Sequence, residues 1–249
     1  MPSQPSKERL DQALVQKKLC DSREQAKRLI LAGEVRVGGH TVDKPATKVA
    51  LDAEITVKNK PRYVGRGGLK LEGALTCFET DPSGLTCLDI GASTGGFTDC
   101  LLQHGAKKVY AIDVGTNQLV WKIRNDPRVV AREKFNARHL TPTDLPESVD
   151  LIVIDVSFIS LTKILPAAFS VLKPDGQIIA LIKPQFEVER GQVGKGGIVR
   201  DETIRQSAAT KVTDFVIGEL GHEFLAIIDS PISGTDGNQE FLGHFQRFN

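Results

Sequence analysis

The stretch Cys87-Leu-Asp89-Ile-Gly91-Ala92-Ser93-Thr94-Gly95-Gly96-Phe97-Thr-Asp-Cys100 sets a carboxylate two residues before a glycine-rich turn. The apolar residues ahead of Gly91 predict a buried strand, and those after Gly96 the start of a helix. A turn of this kind lets backbone approach a ligand closely, and the helix start favours negative charge or hydrogen-bond acceptors. A dinucleotide fingerprint needs glycine where Ser93 stands, and a phosphate loop needs a lysine after Gly96. Neither is present. The turn suits a smaller ligand with an amino-acid end and a ribose, which is S-adenosylmethionine. The candidate donor contacts are Asp89, Gly91, Ala92, Ser93, Thr94, Gly95, Gly96 and Phe97.

Further polar residues follow at spacings that continue this reading. Asp113 lies 22 residues after Gly91, at the end of a second predicted strand, where a carboxylate can accept both ribose hydroxyls. Asn136 follows a third strand and can meet an adenine edge. Asp155 closes a fourth, at the carboxyl edge where open α/β sheets bind ligands. Aspartate also ends many strands as a helix cap, so the inference rests on the ordered set. Lys183 follows the apolar run 178–182; it is a snorkelling surface residue or an active-site group, and the strand's position favours the latter. Lys70, taken singly, reads as a solvated helix lysine more readily than as an active-site group, and Glu240 has the alternative of a turn-flanking surface carboxylate.

The elements that must position these residues alternate. Strands are predicted at 85–90, 108–112, 128–131, 151–155, 177–182 and 223–228, with helices at 97–104, 161–172 and 202–220. A last antiparallel edge strand is predicted at 240–245. This pattern is an α/β, Rossmann-like sheet wrapped by helices. Ahead of it, 8–16 and 22–31 read as short helices, the second opened by the capping box Ser22-Arg-Glu-Gln25 and stopped by Gly33. Strands at 34–37 and 54–57 complete a small α+β domain. The boundaries are 1–60 for the small domain, a basic, glycine-rich linker at 61–68, and 69–249 for the large one.

Charge divides along the same line. The net charge is +1, yet residues 1–70 hold 15 Lys and Arg against 8 Asp and Glu, and the remainder 17 against 23. A basic first quarter points to a polyanion-binding module. Arg23 and Lys27 lie one helical turn apart with Arg28 beside them, facing away from Ala26 and Leu29. Arg9, Arg36, Arg62 and Arg66 extend the candidate RNA-binding set. The four cysteines form no CxxC pair, and the histidines no metal spacing, so no metal site is expected and a reduced, cytoplasmic setting is. No apolar run approaches the roughly 18 residues of a spanning helix. That argues against a membrane-active haemolysin; a non-catalytic RNA-binding assembly factor is the other alternative.

Several of these segments carry a family resemblance. Arg9-Leu10-Asp11, Ser22-Arg-Glu-Gln-Ala26, 30–37 and Lys44-Pro45 resemble the RNA-binding fold of ribosomal protein S-four. Together with RGGLKLEGAL, LDIGASTGGFTDCLLQ, VIDVSFISL, LIKPQFE and GNQEF, they resemble the TlyA-type ribosomal RNA methyltransferases, whose catalytic domain is FtsJ-like. The resemblance implies a Lys–Asp–Lys–Glu tetrad, falling on Lys70, Asp155, Lys183 and Glu240. It implies S-adenosylmethionine as donor and a ribose 2′-hydroxyl, typically of cytidine in 16S and 23S rRNA, as acceptor, so rRNA or ribosomal subunits are the expected partners. Such a hydroxyl is a poor nucleophile and must lose its proton as it attacks; Lys183 is expected to take or steer that proton, with Asp155 and Glu240 orienting the lysines. A 2′-hydroxyl target also accounts for an RNA-binding head, because that group distinguishes RNA from DNA.

Overall fold

The computed structural model describes residues 7–20, 22–58 and 61–248. The chain divides into two compact units, one ending at Arg62 and one beginning at Tyr63. The first contains β1 (Lys7–Arg9), α1 (Leu10–Gln16), α2 (Arg23–Leu31), β2 (Val35–Val37), β3 (His40–Thr41), β4 (Lys48–Ala50) and β5 (Ile55–Val57). β1 pairs with β4, and β2 stands between β3 and β5. Ser22 caps α2 by accepting the Gln25 N–H at 3.2 Å, as its position before an apolar-periodic run requires. Leu10, Leu14, Ala26, Leu29 and Ile30 turn inward onto Val35, Val49 and Ile55, forming one core.

Asp11, fully buried on α1, gathers two of the candidate RNA-binding arginines. Arg9 Nε and Nη2 donate to its carboxylate at 2.9 and 3.0 Å, and Arg23 Nη2 at 2.9 Å. These bonds, that of Arg9 foremost, hold the carboxyl down at about 2 against the cost of burial. Arg9 and Arg23 thus meet on one carboxylate, which joins α2 to α1, while Arg23, Lys27, Arg28 and Arg36 are all exposed.

The second unit contains α3 (Gly67–Cys77), β6 (Thr86–Ile90), α4 (Gly96–Gln103), β7 (Lys108–Ile112), α5 (Trp121–Arg124), β8 (Val129–Arg132), β9 (Val149–Ile154), α6 (Leu165–Val171), β10 (Leu172–Ile182), α7 (Pro184–Glu187), α8 (Glu202–Asp214), β11 (Glu223–Asp229) and β12 (Phe241–Gln246). Its seven strands run in the order β11-β12-β10-β9-β6-β7-β8. β8, β7, β6, β9 and β10 are parallel, and β12 is antiparallel to both of its neighbours. The central strands are apolar at nearly every position because apolar clusters cover both faces. Chain order reverses between β6 and β9, so their carboxyl ends form the crevice in which such sheets bind ligands.

Three expectations need correction. The strand predicted at the edge is internal: β12 lies between β10 and β11, and its residues 241–245 are all buried, so β11 forms the edge. The segment 61–68 belongs to the second unit from Tyr63 onward rather than linking the two. Tyr63 is buried, the Val64 N–H donates to Asp99 Oδ2 at 2.9 Å, and α3 begins at Gly67. Gly68 is glycine for packing, since a Cβ there would sit 2.3 Å from the Tyr63 ring. The helix predicted at 161–172 is one 3-10 turn, Leu161–Lys163, followed by α6, and residue 172 already begins β10. Pro166 in the first turn of α6 suits a helix start there. Among the described residues no helix is long and apolar enough to cross a membrane, and no group of three or more His, Cys, Asp or Glu is arranged to hold a metal ion.

Candidate active site

The turn after β6 is built from backbone that only certain residues tolerate. Gly91 has φ +85°, and a Cβ on it would lie 2.4 Å from the carbonyl oxygen of Asp155 at the end of β9. Its N–H donates to the Ile112 carbonyl at 2.9 Å. Ser93 also takes a positive φ and donates its N–H to Asp113 Oδ2 at 2.8 Å; the Gly115 N–H reaches Oδ1 at 2.6 Å. Two backbone donors therefore aim the Asp113 carboxylate, and each of its oxygens keeps a lone pair for a further donor. Gly95, φ +97°, starts α4 and packs against Leu119 and Ile123.

Two cavities open at the crevice. The first, about 420 Å³, has apolar walls including Ile90, Ile112, Val114 and Ala137, with Asp113, Asn136 and Ser93 as polar groups. Its size and mix of walls suit one nucleoside-sized ligand. The second, about 290 Å³, is lined by Lys70, Lys183, Glu240, Arg66, Ala92, Thr94, Gly96 and Phe97, among others. Gly91, Ser93, Asp155, Ser157 and Phe158 line both.

The four tetrad residues lie up to 170 positions apart in the chain; the fold brings them to one cavity as two ion pairs. Lys183, just past β10, places Nζ 2.6 Å from Asp155 Oδ1 and donates to Ser157 Oγ at 2.9 Å. Lys70, on α3, donates to Glu240 Oε2, and both side chains are almost completely buried. Buried ions of this kind persist only when paired. Asp155 stands beside Gly67, and Glu240 beside Gly234, where a Cβ would come 2.6 Å from Oε1.

Asp89 and Gly95 line neither cavity. Asp89 is fully buried: Oδ2 accepts the Thr98 hydroxyl at 2.6 Å, while Oδ1 has no partner. Burial pushes its carboxyl up to about 7; the Thr98 bond opposes this, and the charges of Asp155 and Asp113 add to it. A folded value above the unfolded one favours the protonated form, so the associated stability is complete below pH about 4 and is lost as pH rises through about 7. Asp89→Asn is therefore expected to gain on the wild type by about 2–3 kcal/mol in unfolding free energy between pH 5 and pH 8. Denaturant unfolding at both pH values measures it, and a pH-independent difference would assign Asp89 an ordinary titration.

Three groups escaped the sequence reading. Ser157 fixes Lys183, and its signal was only its place after a strand-ending aspartate. Phe158 is held at φ +64° and is 91% exposed, with its ring 5.2 Å from that of Phe186. A large apolar ring in left-handed backbone at a cavity mouth is costly unless used. The turn 233–236 forms another wall, and Arg66, expected to contact RNA, donates there to the Ser233 carbonyl at 3.0 Å.

Known proteins resemble this chain over most of its length. Residues 63–247 match the family model of FtsJ-like methyltransferases, and residues 8–55 match the S4 domain. The 16S/23S rRNA (cytidine-2′-O)-methyltransferase TlyA of Mycobacterium tuberculosis is 47% identical over 236 residues, covering 94% of this chain and 88% of TlyA. Hemolysin A of Brachyspira hyodysenteriae is 48% identical over 242 residues, 95% of this chain and 99% of its own. The solved structure of a hemolysin-type protein from Streptococcus thermophilus, 47% identical, superimposes with a TM-score of 0.76 over 98% of this chain and 90% of that one. The chain belongs to the FtsJ-like methyltransferase family and carries an S4 domain ahead of the catalytic unit.

Proposed function

We propose that the protein transfers a methyl group from S-adenosylmethionine to the 2′-hydroxyl of a cytidine ribose in 16S or 23S rRNA. The observation that carries this reading is the wall shared by the two cavities. Asp155 and Ser157, which hold Lys183, face both a nucleoside-sized pocket and the pocket of the two lysines. The residues fit the donor: apolar walls for an adenine, Asn136 for its edge, and Asp113 for ribose hydroxyls. When bound, the donor supplies a methyl group on a cationic sulfur.

The chain supplies the rest. To act as base, Lys183 first releases to solvent the ammonium proton it holds beside Asp155, then accepts the proton of the 2′-hydroxyl as that oxygen becomes nucleophilic, and Asp155 Oδ1 balances the ammonium that re-forms. Charge is conserved, because the positive charge lost from sulfur on transfer reappears on Lys183. Lys70, kept in place by Glu240, adds positive charge to the same cavity, where it lowers the cost of a forming alkoxide. Phe158 and Phe186 offer ring faces on which an unstacked base can rest.

The S4 domain contributes affinity through phosphate contacts that carry little sequence information. Lys27 and Arg28 are the informative pair, because reversing Arg23 would also break its bond to Asp11. Replacing both by alanine is expected to reduce the slope of log affinity against log salt by about 1.4–1.8, leaving donor affinity unchanged. An unaltered slope would remove that helix face from RNA binding. The function itself is tested by incubating purified protein with methyl-labelled donor and ribosomal subunits. Label in rRNA is expected, and its absence from both subunits would overturn the reading.

A further inference from the structure

Within the segment Gly237-Asn238-Gln239-Glu240, only Glu240 has a role in the mechanism above, yet Asn238 is 1% exposed and fully engaged. Its Oδ1 accepts the Val199 N–H at 2.9 Å, and its Nδ2 donates to the Gly197 carbonyl at 2.8 Å. Its own carbonyl accepts the Gly234 N–H at 2.8 Å, and the Ser230 N–H donates to the Glu240 carbonyl at 2.8 Å, closing the turn that presents Glu240 to Lys70. One buried carboxamide thus ties the turn of the tetrad glutamate to residues 197–199.

The segment on the other side of this tie is an exposed loop. It carries Arg190, Lys195 and Arg200 in solvent, with Gly196 and Gly197 at φ +80° and +77°. The Gly194 N–H bonds to the Ile198 carbonyl at 3.1 Å, so the loop folds back on itself at the residues that Asn238 holds. A carboxamide is the side chain of this size that both accepts and donates, whereas an aspartate would keep the Val199 bond and lose the one to Gly197.

We infer that Asn238 is a positioning residue coupling the loop 190–200 to the Lys70–Glu240 pair, so that RNA backbone engaged by Lys195 and Arg200 orders the acceptor cavity. This rests on the reading of the acceptor as RNA. Asn238→Ala is expected to lower kcat at saturating RNA and donor roughly 3- to 30-fold, with KM for RNA and donor affinity unchanged. Asn238→Asp should recover part of that loss. Lys195→Ala should lower kcat and raise KM in the wild-type background, but only raise KM when Asn238 is already alanine.

An unchanged kcat in Asn238→Ala would overturn the inference. So would an equal kcat loss from Lys195→Ala in both backgrounds. If Asn238→Ala does not fold, Asn238→Asp carries the same comparison, since it removes one of the two loop bonds. Absence of label in rRNA with the wild-type protein is the separate result that would sink the RNA reading itself.

Discussion

Lys183→Ala is expected to lower the single-turnover rate of methyl transfer by about 10²- to 10⁴-fold, with donor affinity close to wild type. Lys183 lines the cavity of the ion pairs but not the nucleoside-sized one, so its loss removes proton handling rather than the donor pocket. Lys183→Arg sharpens the point. A guanidinium retains the charge beside Asp155 but does not give up a proton in a protein, so it cannot act as a base. The arginine variant is expected to be as slow as the alanine one. Quenched-flow measurement with saturating RNA separates these cases: a rate within a few-fold of wild type in Lys183→Arg would reduce Lys183 to an orienting charge.

Gly91→Ala is expected to destabilise the catalytic unit by about 2–5 kcal/mol and to abolish donor binding. Two costs combine. The added Cβ would lie 2.4 Å from the Asp155 carbonyl oxygen, and the backbone there has φ +85°. Relief by movement is blocked, because the Asp155 N–H is bonded to the Ile90 carbonyl at 2.9 Å and β6 and β9 are held in register. Against a total stability of about 5–15 kcal/mol, such a loss shows plainly in thermal unfolding. Gly191→Ala is the control, since nothing lies within 4 Å of its Cβ and its φ is ordinary. Equal melting temperatures for the two variants would contradict the close approach of β6 and β9.

What was legible in the sequence follows from what local chemistry determines. The strands flanking Asp89, Asp113 and Asp155 were readable because both faces of the central sheet are covered, which produces continuous apolar runs between turn residues. The reading of β12 as an edge failed because strand order depends on long-range pairing, which a run such as Phe241-Leu-Gly-His-Phe245 does not encode locally. The segment at 61–68 misled because its glycines serve close packing, Gly65 against Thr94, Gly67 against Phe97 and Gly68 against Tyr63. Lys70 and Glu240 had an ordinary reading each; only their meeting across 170 residues gives them a common one. The meeting of Arg9 and Arg23 on one carboxylate was not legible, because composition does not reveal that Asp11 lies between them.

The central claim is the identity of the modified atom, and alkali tests it directly. Hydrolysis of RNA in base proceeds through attack by the 2′-oxygen, so a ribose methylated there leaves an uncleaved dinucleotide. After transfer of a labelled methyl group to ribosomal subunits, the account predicts label in alkali-resistant dinucleotides whose first residue is cytidine, and at least about 10²-fold less at early times with Lys183→Ala. Label released in mononucleotides would place the methyl group on a base and contradict the account.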